Sequence, residues 1–466
     1  MILLANGFQQ SISEQYHRTS NANIGVYLGY DYQDKYFVNF SEAVVHSAKL
    51  PEGNRQAYSP TFSLGWRLSE EDFLNQSEVV DELKFTVSAG ILHTDIDIDD
   101  YFLYQSIYTQ TDGAWFNWRD GALSRSTDSR RGENNDLTFA KRKEINLGVE
   151  ASLFDEKFQI QGSFFANEIS GGVIQADILY PSHFVTYWPN SSFIPYVNYN
   201  EDERIGFDFN INWKEQFGGV ETTLGLVGTY YNTTATRRAE MHQDTYQNRQ
   251  GNPLDAIWGL ESQGFFSSVE EIENSPIQSF GQVAPGDIKY KDQNADGVID
   301  AQDEVYLAKG GWFGSPFTLG VNFTAKWKDF TFFALGVGRF GAHAMKNSSY
   351  FWIDGEDKYS IIVRDRWTQE TSETASYPRL TTTNSNNNFR SSDFWLYSTD
   401  RFDLAKVQIS YNLPKALYAK SFVSELGVYI NGSNLLTVSS EREILELNVG
   451  QTPQNRFFNL GLKAIF

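Results

Sequence analysis

The chain has 466 residues, 15% of them aromatic, a net charge of −21 and no cysteine. That acidity argues against a nucleic-acid partner, because phosphate binding needs a basic face. The lack of cysteine excludes disulfides, thiolate metal sites and cysteine nucleophiles.

The opening "MILLANGFQQ" has no basic n-region and no long apolar core. It does not read as a signal peptide, so any export signal is expected outside this chain. No run approaches the ~18 consecutive apolar residues of a membrane-spanning helix. The mean hydropathy of −0.43 suits a soluble β-protein, and equally a membrane barrel whose strands alternate apolar and polar residues.

Strands dominate the chain from there to its end. Alternation with period 2 predicts about thirteen of them, near 24–32, 35–45, 60–68, 83–92, 142–153, 158–168, 203–213, 220–231, 316–327, 330–340, 402–413, 425–433 and 456–466. "IGFDFNINW" puts Ile205, Phe207, Phe209, Ile211 and Trp213 on one face, and "FTLGVNFTAKW" does the same with Phe317, Leu319, Val321, Phe323, Ala325 and Trp327. About nine to eleven residues is the length a tilted strand needs to cross a bilayer. Connections alternate between tight turns (32–35, 155–157, 328–329) and long loops (93–141, 169–202, 232–315, 341–401). That segregation predicts an all-β fold, a transmembrane antiparallel β-barrel with long extracellular loops. The last strand ends on an aromatic, Phe466, and should finish on the short-turn side. Counting back through thirteen strands leaves residues 1–23 outside and gives an odd number. The expectation is therefore the C-terminal portion, about 13–14 strands, of a larger barrel filling residues 1–466.

Within the third long loop, "DQNADGVIDAQDE" (292–304) has calcium-loop spacing. Calcium needs six to eight oxygens around a sharp turn. Asp292, Asn294 and Asp296 occupy positions 1, 3 and 5, Gly297 the turn, Val298 the carbonyl position and Asp300 position 9. Asp303 stands at position 12, where a bidentate Glu is usual. The flanks read as extended rather than helical, so a structural calcium brace is expected, not a sensor. The plainer alternative is an Asp/Asn/Gly-rich surface turn without metal.

The six His residues show no metal-ligand spacing, and the carboxylates single out no catalytic pair. "GVGRFG" (336–341) continues a strand and meets no helix, so it is not a phosphate loop. No enzyme is expected. Trp115, Trp118, Trp188, Trp258 and Trp352 lie in the long loops and are candidates for substrate contact by stacking. The alternative is that they pack the loops or seat a partner.

Six blocks together resemble the C-terminal barrel of the SusC-like (RagA-like) TonB-dependent transporters. They are "YSPTFSLGWRLSEEDFL" (58–74), "NNDLTFAKRKEINLGVEASLF" (134–154), "PGDIKYKDQNADGVIDAQDE" (285–304), "GSPFTLGVNFTAKWKDFTFFALGVGRFG" (314–341), "RDRWT" with "YPRL" (364–380), and "DLAKVQISYNLP" with "LGVYINGSNLLT" (403–437). The resemblance implies an outer-membrane barrel of about 22 strands around an N-terminal plug. It implies uptake of oligosaccharides or peptides, powered by the TonB complex through the part not in this chain. It also implies outer-membrane lipid around the wall and a SusD-like lipoprotein lid. Nothing here resembles the plug or the first strands, and "NVGQTPQNRFF" (448–458) replaces the family's element before the final strand. A plugless binding or structural barrel piece, and a secreted glycan-binding β-protein, remain as alternatives.

Overall fold

The computed structural model describes residues 1–466 other than 11–18, 110–114, 118–119, 126–127, 176, 188–189, 354, 356–359, 383–385 and 420–421. Fourteen strands are hydrogen-bonded in chain order. They are β1 (Ile2–Gln10), β2 (Thr19–Tyr32), β3 (Tyr36–Ser47), β4 (Gln56–Arg67), β5 (Val80–Thr94), β6 (Ala140–Leu153) and β7 (Phe158–Gln175), followed by β8 (Tyr196–Phe217), β9 (Val220–Arg237), β10 (Phe317–Trp327), β11 (Phe330–Phe340), β12 (Arg401–Asn412), β13 (Glu425–Val438) and β14 (Phe457–Ile465). By contacts the chain divides into two compact units: Met1–Phe209 with Tyr231–Met241 and Arg249–Leu254, and Asn210–Tyr230 with His242–Asn248 and Asp255–Phe466. Among the described residues no helix is long and apolar enough to cross a membrane, which says nothing of strands.

In the first unit the register aligns like with like. Tyr36 lies opposite Trp66, Trp66 opposite Phe85, and Phe85 opposite Val149. The next row up is Val38, Leu64, Val87, Leu147 and Phe164. The reverse face carries mostly polar and small side chains, Ser63, Ser88 and Asn146 among them, with Phe37 and Phe165 as exceptions. Beyond the following row, which holds Ile145 and Ala166, the apolar face ends in an ion pair, Lys143 to Glu168 at 3.2 Å. In the second unit the same logic aligns Val220, Trp327, Phe330, Tyr411, Val428 and Leu462 at the tight-turn end. Alternation alone would let strands slip. Pairing in this register is favoured because a one-residue slip would mix the two faces.

The tight turns sit where expected. Gln33 and Asp34 have φ of 55° and 56°, the left-handed conformation that tight hairpin turns use, within the three-residue connection from Tyr32 to its partner Tyr36. One expectation fails. Residues 1–23 are not an outer segment, because Ile2 to Gln10 pair with Tyr27 to Thr19 as a strand. "ILLANGFQQ" does not alternate, so its strand identity comes from the neighbour it pairs with.

The long loops carry their own structure. In the second unit, Ser262–Phe265 pairs with Ile288–Tyr290, and Ile277–Gln278 runs parallel to Val298–Ile299. These strands enclose a buried core of Leu260, Ile288, Tyr290, Ile299, Phe351, Tyr377 and Trp395. The blocks "PGDIKY", "RDRWT" and "YPRL" meet there. Gly286 has φ +92°, and a Cβ on it would lie 2.4 Å from the Trp367 ring. Asp287, fully buried, pairs with Arg379 at 2.8 Å and accepts from the Ala284 amide and the Asn388 side chain. Gln278, Asn387 and Asn388 complete the network, with Gln278 donating to the Ile288 carbonyl and accepting from the Tyr290 amide. A buried carboxylate is tolerated only when paired and hydrogen-bonded in this way.

Arg379→Met would strand the Asp287 carboxylate. It is expected to destabilise this unit by about 3–5 kcal/mol, with part recovered in the double variant with Asp287→Asn. Urea unfolding followed by tryptophan fluorescence tests this, and a loss under about 1 kcal/mol would refute it. A second clip is pH-dependent. Glu271 accepts from the amide and hydroxyl of Ser267 and pairs with Lys289. Those contacts hold its carboxyl down at about 2 against an ordinary 4.5. Because the folded value is depressed, the clip stabilises above pH 4.5 and is lost as pH falls toward 2. Amide exchange at Ser267, corrected for intrinsic rate, should speed up over that window in the native chain and lose this pH dependence in Glu271→Gln.

Candidate functional site

The acidic loop runs from Asp292 to Asp303 between two short strands of the second unit, as its extended flanks predicted. Ala295 and Gly297 adopt φ of 60° and 85°, which folds the loop back on itself. Asp292 accepts from the amides of Ala295 at 2.7 Å and Gly297 at 2.9 Å. Asn294 accepts from the Asp296 amide and Asp296 from the Val298 amide. Asp300 accepts from the Gln302 amide and caps the turn Ala301–Asp303. Asp303 is fully buried and takes both the Gln293 and Asp300 amides, at 2.7 and 2.8 Å. All six anticipated residues therefore belong to one compact loop, with these carboxylates turned toward backbone amides. Among the described residues no three acidic or histidine side chains converge as a metal-binding group.

The loop is strongly negative in its effect on neighbours. The Tyr246 hydroxyl donates to the Gln302 carbonyl at 2.8 Å. Its ionisation is pushed up to about 12, by burial first and then by Asp244, Asp303, Asp292 and Asp296. Gln247 bonds the Ala301 carbonyl as well, so the segment 245–247 straps the loop. Sequence reasoning missed this strap, because nothing in "TYQ" marks it.

The predicted aromatic contacts fall into different settings. Trp115, in the first unit, is exposed, with the Arg125 guanidinium 4.8 Å from its ring. Trp258 is half-buried and packs edge-on to Tyr306. Trp352 is half-buried against Phe389 and Trp395 in the loop core. Trp118 and Trp188 lie outside the described residues. Two further aromatics are also exposed, Trp312 at 72% and Phe313 at 55%. They project from the turn "GGWFG", which Asp255 pins by accepting from the Gly310 and Gly311 amides. The signal available in sequence was two bulky aromatics between glycines, a pattern that cannot be buried within so short a turn.

No family model matches the chain. TonB-dependent receptor P26 of Formosa agariphila is 23% identical, over 94% of this chain and 45% of its own length. TonB-dependent receptor SusC of Bacteroides thetaiotaomicron is 22% identical, over 66% of this chain and 30% of its own. The chain thus spans less than half the length of these curated relatives. Among solved structures, the RagAB peptide importer in its open-open state shares the fold, with a TM-score of 0.70 at 17% identity, over 91% of this chain and 44% of that one. The RagAB peptide transporter matches similarly, at a TM-score of 0.68. By sequence the chain is similar to TonB-dependent receptors, SusC among them, and it shares the fold of the matching part of the RagAB importer.

Proposed function

We propose that this chain forms wall and outer loops of a TonB-dependent outer-membrane importer that takes up oligosaccharides or peptides beneath a SusD-like lipoprotein lid. The observation that carries the reading is an exposed apolar face. Trp66, Phe85, Ile145, Leu147 and Phe164 are each 42–53% exposed on one side of consecutive strands, while polar and small residues take the other. A water-soluble protein rarely leaves so continuous an apolar patch uncovered, whereas a bilayer covers it. Strand length in the second unit fits as well. The eleven residues from Phe317 to Trp327 rise about 33 Å along the strand, or about 25 Å at the usual tilt of a membrane barrel. TonB would act through a segment that this chain does not include. Trp115, Trp118, Trp188, Trp258 and Trp352 are proposed substrate contacts, Trp115 being the one exposed residue among those described.

In the whole receptor, Leu147→Arg on the apolar face should lose about 2–4 kcal/mol of membrane folding stability and disappear from the outer-membrane fraction. Asn146→Arg, one residue along on the polar face, should still insert. Equal insertion by both would overturn the membrane reading. Insertion with no TonB-dependent uptake in the unsubstituted receptor would favour a structural barrel piece.

The acidic loop is proposed to hold structural calcium. What supports this is an all-oxygen donor set, a left-handed glycine at the turn and the negative field felt by Tyr246. Asp292, Asn294, Asp296, Asp300 and the Val298 carbonyl would hold the ion, with Asp303 bracing the loop end. The ion would neutralise clustered carboxylates and stiffen the loop. Mass spectrometry of the purified barrel should find bound calcium that Asp292→Ala with Asp296→Ala removes. Equal calcium in both proteins would refute it.

A further inference from the structure

The outer loops of the second unit enclose a pocket of about 390 Å³ that none of the anticipated site residues lines. It lies between residues 346–395 and the helix Arg442–Leu447, two segments that connect strands on the long-loop side. Its size is in the range of a small-ligand site.

The walls are apolar in a specific way. Tyr377 and Trp395 both line it, yet their polar atoms point into the protein. The Tyr377 hydroxyl donates to the Phe351 carbonyl at 2.8 Å, and the Trp395 indole donates to the Asn388 carbonyl at 2.7 Å. From these two residues, then, ring surface faces the pocket, joined by Phe394, whose ring meets Trp395 edge-on at 4.9 Å, while Ser376 and Tyr350 add polar groups to the lining. A ligand hydroxyl set against these three aromatic faces would find no partner there, and unpaired polar groups are costly. At the lip, Ile361 is 61% exposed and Leu447 42%, both large apolar side chains open to solvent.

The charged groups sit at the lip. Lys346 is already engaged, with Glu441 at 3.6 Å and the Tyr397 ring at 5.6 Å. Two other cations are also directed elsewhere: Arg442 pairs with Glu446 at 2.9 Å, and Arg366 reaches the Val363 carbonyl. Asp365 and Glu443 remain, both exposed at the lip. The chain's net charge of −21 would steer cations toward them.

We infer that this pocket binds a ligand with an apolar body of side-chain size and a cationic amine head. The body fills the aromatic walls, and the amine meets Asp365 and Glu443. Its use in uptake rests on the importer reading, but its binding does not.

The test is equilibrium binding to the detergent-solubilised full chain by saturation-transfer NMR. The probes are phenylalanine amide, its neutral N-acetyl derivative and maltotriose. The amide should bind about fivefold to tenfold tighter than the acetylated form, the scale of two half-exposed charge contacts. Asp365→Asn with Glu443→Gln, both on the surface, should erase that preference without unfolding the chain. Ile444→Trp, which fills the pocket, should abolish binding of both. Equal binding of amide and acetylated probe, preference retained in the double variant, or maltotriose displacing the amide would each overturn the inference. Loss of TonB-dependent uptake with amide binding intact would instead count against the importer reading.

Discussion

Everything else in the molecule depends on strand register. Each long strand has one apolar and one polar face, and each backbone ladder must also satisfy its amides. Only alignments that keep the faces together meet both demands, and the tight turns select among them, so Tyr36, Trp66, Phe85 and Val149 fall in one row. A slip of one residue would bring Leu64 and Leu147 to the face of Ser63 and Asn146. The loops inherit their positions from this ladder. They leave strands whose ends are already placed, and they need only fold among themselves.

How they do so differs from the wall. The wall buries little and exposes much, as Leu462 at 71% and Leu147 at 49% illustrate. Most of the large fully buried side chains lie in the loops, among them Ile288, Tyr290 and Asn388. Their core is unusually polar for its depth. Asp287, Arg379, Gln278, Asn387 and Asn388 satisfy one another and the nearby backbone. Networks of this kind tolerate partial disruption poorly, since each remaining group is left desolvated. In exchange they define one loop arrangement rather than several.

Charge is distributed with the same economy. The acidic loop directs Asp292, Asp296 and Asp303 at its own amides, which keeps it compact while its field reaches Tyr246. On the wall, charges such as Lys143 and Glu168 begin where the apolar rows stop. An acidic exterior and an apolar band thus coexist in one chain because strand alternation sorts them to different places.

The sequence by itself determined the strands, the tight turns and the two faces, because period-2 alternation and left-handed turn residues are local signals. It also determined the acidic loop and its extended flanks. It did not determine β1, whose residues do not alternate and are strands through their pairing with Thr19–Tyr27. Only the tertiary structure brought Gly286, Trp367 and Arg379 together, across about ninety residues, and made sense of three separated blocks. Only it placed Trp352 in a core and left Trp312 in solvent. Burial is a property of what packs against a residue, and for loop residues those neighbours are distant in the chain.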